Sequence, residues 1–127
     1  MIHIQTTAKS IDDAVRDLTV AAANHKYGLL HTHDLQGTMR SKGVEFPHAC
    51  RVLEVCNPHH AAKVLGEDIR VNLALPCRIG VWEQDGQTRV GTLLPTQLLQ
   101  VFGDSPSMGK TAALVEADML AIIADAV

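Results

Sequence analysis

The stretch Val52-Leu53-Glu54-Val55-Cys56-Asn57-Pro58-His59-His60-Ala61-Ala62-Lys63-Val64-Leu65, with Leu73-Ala74-Leu75-Pro76-Cys77-Arg78-Ile79 after it, decides how the rest of the chain is read. Arg51 to Cys56 carries strand-forming residues. Asn57 suits an N-cap and Pro58 the first helical position, so the pattern predicts a helix running to Leu65 with Gly66 as its stop. Leu73 to Leu75 reads as strand material again, and Cys77 to Gln84 as a clear strand.

Working toward the C-terminus, Asp85-Gly86 is a strong two-residue hairpin signal, with Gln87 to Thr92 returning. That turn length sets the register: Gln84 opposite Gln87, Glu83 opposite Thr88, Trp82 opposite Arg89 and Val81 opposite Val90. Cys77, Ile79, Val81 and Val90 then share one face, expected to be the core under the helices. Arg78, Gly80, Trp82, Arg89 and Gly91 share the other, where glycine admits a close approach by a ligand or another backbone. Trp82 and Arg89 are placed to stack across the strand pair. Pro95 to Phe102 reads as a short helix. Ser105-Pro106 starts the last helix, whose stripe is Met108, Ala112, Val115, Met119, Ile122 and Ala126.

Toward the N-terminus, Ile2 and Ile4 alternate with polar residues in a first strand. Ser10 caps a helix with Asp12 and Asp13 in its first turn. Its inward stripe is Ile11, Ala14, Val15, Leu18, Ala22 and His25. Tyr27 to His33 alternates as a second strand, Asp34 to Lys42 reads as a short helix, and Val44 to Ala49 as a loop. The expected fold is α+β: an antiparallel-rich, curved sheet with helices mainly on one face.

Length and composition bound the function. At 127 residues the chain fits a single domain, 1–127, able to fold without disulfide staples. Apolar residues make up 46% and aromatic residues only 3%, so the core must be aliphatic. The formal charge is −3 and no basic run exceeds two residues, which argues against a generic nucleic-acid binder. Apolar runs fall far short of the ~20 residues of a membrane span. Three cysteines, an odd number at irregular spacing, and a start that leads straight into folded pattern point to a reduced, cytoplasmic compartment.

Several residues can carry chemistry. Cys56 precedes an Asn-capped helix, where the dipole and free N–H groups favour a thiolate. Glu54 shares strand parity with Cys56, and a carboxylate there opposes that effect. Cys77 is in phase with Ile79 and Val81 and reads better as a packed core thiol; Cys50 reads as incidental. His31 and His33 share one strand face, and Cys56 and His59 lie three apart, so these four are the candidate metal ligands for zinc, copper or iron. His3, His25 and His48 read as surface residues. The segment Gly103 to Thr111 imitates a phosphate-binding loop. It has five residues between its glycines where the motif has four, and a helix pattern before it where the motif has a strand, so it is read as an ordinary helix start. The Asn57-Pro58 corner with Arg78 favours an anion.

Read in order, Ala14…Leu18, Tyr27-Gly28-Leu29-Leu30-His31, Asp34-Leu35, Lys42-Gly43-Val44, Val52 to Pro58, Ala61 and Leu75-Pro76-Cys77-Arg78-Ile79 fit one pattern. The chain resembles the domain-of-unknown-function 302 family, in the subgroup with Cys before Asn-Pro and Cys after Leu-Pro. The resemblance implies a β-α-β4-α architecture similar to the TATA-box-binding-protein-like fold with short inserted helices. It also implies a bacterial or archaeal protein, commonly a homodimer, and no catalytic residues.

Three functions are expected, in order. The first is a small-molecule or anion-binding accessory protein using Cys56, Asn57, Arg78 and His59, and not an enzyme. The second is a thiol-dependent redox, sulfur-handling, metal or haem protein using Cys56, with Cys77 as a second thiol. The third is a dimerisation or partner-binding module using Trp82 and Arg89. The cofactor is unassigned, and neither nucleic acid nor membrane is an expected partner.

Overall fold

A computed structural model describes residues 1–127. Five strands, β1 (Ile2–Thr7), β2 (Gly28–Asp34), β3 (Cys50–Cys56), β4 (Cys77–Gln84) and β5 (Gln87–Leu93), form one antiparallel sheet in the order β1-β5-β4-β3-β2. Helices α1 (Ile11–Asn24), α2 (Leu35–Ser41), α3 (Pro58–Glu67), α4 (Pro95–Leu98) and α5 (Pro106–Ala126) complete it, with single 3-10 turns at Ile69–Leu73 and Leu99–Phe102. With the short helices set aside, the order is β-α-β4-α, the expected α+β architecture.

Local chemistry accounts for the element ends. Ser10, Asp34, Asn57 and Ser105 each cap a helix with a side-chain oxygen that accepts from backbone N–H groups of the first turn. Asp85 and Gly86 both take positive φ, which a tight hairpin requires, and the β4–β5 register is the one the turn length predicts. Helix α3 runs through Gly66 to Glu67, two residues beyond the expected end at Leu65.

One element differs in kind. Leu73 is not strand: Asp68 Oδ1 accepts from Arg70 N at 3.0 Å and starts the 3-10 turn that contains Leu73. Ala74 is the C-cap of that turn. Sheet pairing begins only at Cys77, after Pro76, which has no N–H to give.

Leu53, Val55, Ile79, Val81 and Val90 point from the sheet into the stripes of α1 and α5 and are fully buried. Each such side chain contributes roughly 1.5–3 kcal/mol of burial. Helices α1 and α5 pack on each other, and His25 Nε2 lies 2.8 Å from Asp125 Oδ2 across their ends. The opposite sheet face carries no helix stripe. Its rows run Ile2, Leu93, Arg78, Glu54, His31 and then Ile4, Gly91, Gly80, Val52, His33. A bulge in β2 between Leu29 and His31 sets the second edge of these rows.

On that face the two glycines are covered by the chain itself. A Cβ on Gly91 would lie 2.8 Å from His3 O and 3.2 Å from the Trp82 ring, and one on Gly80 would lie 3.6 Å from that ring. The close approach expected from a ligand or another backbone is therefore made by Trp82 and β1. Trp82 does not stack on Arg89: its Nε1 donates to Gln84 Oε1 at 3.2 Å, while Arg89 lies 3.7 Å from Asp85. His3, expected at the surface, is half-buried with Nε2 enclosed and unpartnered.

Candidate functional site

Two apolar clusters make up the interior. The larger joins the sheet to α1 and the C-terminal half of α5, and the smaller gathers Val64, Val71, Leu99, Met108 and Ala112. A cavity of about 90 Å³ lies between them. It is bounded by the Cys56 and Cys77 ends of β3 and β4, by α3, by the Leu75-Pro76 segment, and by α4 and α5. A single water needs roughly 10–15 Å³ of such space, so the cavity has room for a small organic molecule.

The walls are mainly apolar, with Ala61, Val64, Leu75, Leu98 and Val115 among them. Polar character comes from a few residues. Tyr27 is buried, and its hydroxyl donates to Asp118 Oδ2 at 3.0 Å. His60 Nε2 lies 3.7 Å from the same oxygen. Burial, reinforced by the hydrogen bond to the carboxylate, pushes the Tyr27 hydroxyl far above its ordinary range, so it stays protonated. Burial likewise pushes the Cys77 thiol up to about 11, with Cys56 adding to the shift. An apolar pocket with a few convergent polar groups is the general form of a small-ligand site.

The sequence candidates fall in different places. Cys56, Asn57 and Arg78 line the cavity; His59 does not and stands exposed on the outer side of α3. Asn57 Oδ1 accepts from His59 N at 3.0 Å and from His60 N at 3.2 Å, so the helix start is already occupied by its own cap. Arg78 is largely exposed and lies 4.0 Å from Glu54. Cys77 packs against the large core, as its strand phase predicts, and also reaches the cavity.

The four metal candidates do not gather. His31 and His33 meet edge to face at 4.3 Å on the open sheet face, where His33 Nε2 lies 2.6 Å from Glu54 Oε1. Cys56 and His59 belong to the α3 corner. No group of three or more His, Cys, Asp or Glu side chains is placed to hold a metal ion.

Tyr27, His60 and Asp118 are the residues that the sequence reading overlooked. The signal for His60 was present: with Ala61 and Val64 it forms the inward stripe of α3, and His59 points away. Asp118 was legible as a charged residue three after Val115, on the flank of an apolar stripe.

Comparison with known proteins agrees with the fold. The model of the family "Domain of unknown function DUF302" matches residues 2–126, and the chain belongs to that family. A solved structure, the crystal structure of an uncharacterized conserved DUF302 protein from Bacillus stearothermophilus, is similar over 99% of this chain and 98% of that one, with a TM-score of 0.94 and 27% identity. No curated protein matches the chain. No helix is long and apolar enough to cross a membrane.

Proposed function

We propose that the chain is a small-molecule-binding accessory protein whose site is the cavity between the two cores. The observation that carries this reading is the cavity itself, at the Cys56-Asn57 corner, with apolar walls and a Tyr27–Asp118–His60 cluster beside it. Its chemistry favours a compact, mostly apolar ligand with one hydrogen-bonding group over a bare anion. The N–H groups an anion would use are taken by Asn57, and Arg78 sits at the rim close to Glu54.

Native mass spectrometry of freshly purified protein, followed by thermal unfolding against a panel of small apolar molecules, tests it. A ligand present at 100 times its Kd adds about 2.7 kcal/mol of stability. Ala61→Leu, which fills the cavity, is expected to abolish that gain and to leave the fold intact. A panel with no stabilising compound, and no co-purified molecule, sinks the proposal.

A second reading, a homodimer across the open sheet face, is favoured by one observation. Ile2, Ile4 and Leu93 lie together there, each about half or more exposed (67%, 47% and 46%), next to Trp82. Light scattering decides: a dimer weakened by Trp82→Ala supports this reading, and a monomer at micromolar concentration ends it. Three free cysteines fit the reducing cytoplasm as the place of action.

A further inference from the structure

We infer that the ligand of this cavity is an uncharged carbonyl compound, and that the side-chain amide of Asn57 selects it. The inference rests on the small-molecule reading above and narrows it. Its starting point is the helix cap. Asn57 Oδ1 accepts from His59 N at 3.0 Å and from His60 N at 3.2 Å. Backbone N–H groups can be met only by the amide oxygen, so these two bonds fix which branch of the amide is which. The other branch is Nδ2, with two N–H donors, and it makes no hydrogen bond within the chain. Asn57 is at the same time part of the cavity wall. With Oδ1 held by the helix, Nδ2 is the branch left for a ligand.

The other polar groups of the wall already have partners. The Tyr27 hydroxyl donates to Asp118 Oδ2 at 3.0 Å, and Thr92 Oγ1 donates to the carbonyl oxygen of Arg78 at 2.8 Å. His60 Nε2 faces Asp118 at 3.7 Å. Thiols are weak in both roles. A ligand that fills the cavity takes water away from the Asn57 N–H groups, and a buried donor without a partner is costly. The ligand must therefore bring an acceptor. Charge decides that the acceptor is neutral. Arg78, at the rim, lies 4.0 Å from Glu54, and Asp118 stands beside Tyr27 and His60. An anion would meet one arginine and two carboxylates, between apolar walls where unpaired charge is expensive. A carbonyl oxygen accepts from Nδ2 without needing a counter-ion, and the rest of the molecule is held by apolar contact.

The test compares compounds of one ring size on the full chain: cyclohexanone, cyclohexanol, cyclohexylamine and cyclohexanecarboxylate, with toluene as the purely apolar reference. Affinities come from calorimetry and from the concentration dependence of thermal unfolding. Cyclohexanone is expected to bind best, on the order of tenfold more tightly than toluene, the worth of one hydrogen bond. Cyclohexanol should fall between them, because its oxygen can accept but its own O–H then lacks a partner. The amine, which only donates at neutral pH, and the carboxylate should be weakest. Equal binding of cyclohexanone and toluene overturns the inference, as does a preference for the alcohol, the amine or the carboxylate. Binding of toluene alone overturns it and leaves the small-molecule reading standing, whereas no binding by any of these compounds takes both away.

Asn57→Asp carries the test to the residue without endangering the helix, because Asp caps as well as Asn and its charge suits a helix N-terminus. It keeps the accepting oxygen and replaces the donating branch with a second acceptor. Cyclohexanone should then lose on the order of tenfold in affinity, and cyclohexylamine should gain. Asn57→Ser, also a good cap, removes the amide without adding charge and should bring cyclohexanone down to the level of toluene. An unchanged preference for cyclohexanone in either variant shows that another group reads the ligand and overturns the role of Asn57. The ranking on the unmutated protein decides the ligand class whatever the stability of the variants.

Discussion

The two cores of this molecule are made differently, and the cavity is the result. The large one has a sheet as its floor: strand residues of period two meet the 3.6-residue stripes of α1 and α5, and fifteen buried residues form one cluster. The small one has five buried residues supplied by short helices and 3-10 turns around the N-terminal half of α5. Short elements bring few side chains each and meet at many ends. Between them and the sheet the packing stops short, and that seam is where Tyr27, Cys56, His60 and Cys77 come together. A rigid core beside an incompletely filled one is a good arrangement for holding a ligand without endangering the fold.

The sharpest way to break the comparison uses one residue type on one helix. Met119 belongs to the large core and is fully buried, and Met108 belongs to the small one and is nearly so. Truncating a buried Met to Ala costs roughly 2–5 kcal/mol, depending on how far the site collapses. Met119→Ala should fall near the top of that range, because its neighbours are fixed by the sheet. Met108→Ala should fall near the bottom, because the surrounding turns can settle inward. Urea unfolding of both variants measures it, and equal losses would mean that the two cores are one mechanical unit.

A smaller effect sharpens the same boundary from the side of charge. In the folded chain the Cys77 thiol is pushed from its ordinary 9.0 up to about 11 by burial. The folded state therefore holds this proton more tightly than the unfolded chain does. Below about pH 9 both states are protonated and the shift has no effect on stability. Between about pH 9 and pH 11 the unfolded chain ionises first, so stability falls as pH rises, by on the order of 2 kcal/mol. Tyr27, shifted in the same direction, adds to the loss at the alkaline end. Comparing unfolding of the parent and Cys77→Ala at about pH 8 and about pH 10.5 isolates the thiol. A pH slope unchanged in Cys77→Ala would show that this thiol is not sealed in the wall.

Much of the large core was legible because it follows from periodicity and turn length. The Asp85-Gly86 turn alone puts Ile79, Val81 and Val90 on one face, and all three are buried. The stripes of α1 and α5 and the caps at Ser10, Asn57 and Ser105 follow from sequence in the same way. The small core was poorly legible. Leu73, with its apolar neighbours, imitates a strand, and only the Asp68 cap and the missing N–H of Pro76 make this stretch a turn. The site was half legible, for the same reason. Cys56 and Asn57 announce a strand-to-helix corner by spacing, but Asp118 lies 91 residues from Tyr27 along the chain. No local pattern pairs residues so far apart. The glycines at 80 and 91 do mark a close approach: at Gly91 the β1 backbone makes it, as the second of the two expected alternatives, and the Trp82 ring covers both positions.

The smallest expected effect concerns that long-range pair. Tyr27→Phe keeps the ring in the core and removes only the hydroxyl that donates to Asp118. The loss depends on what becomes of the carboxylate. Were Asp118 sealed, stripping its donor would cost the full penalty of a stranded charge. It is one-third exposed (34%) and still faces His60 at 3.7 Å, so water and the imidazole can replace the lost contact. The cost should then be that of an ordinary hydrogen bond, about 1 kcal/mol, and smaller than either methionine truncation. Ligand-induced stabilisation offers the finer readout. If the hydroxyl orients a ligand's polar group, Tyr27→Phe weakens ligand stabilisation while barely changing the free protein. If it serves only to tie β2 to α5, the free protein loses about 1 kcal/mol and the ligand's increment is untouched.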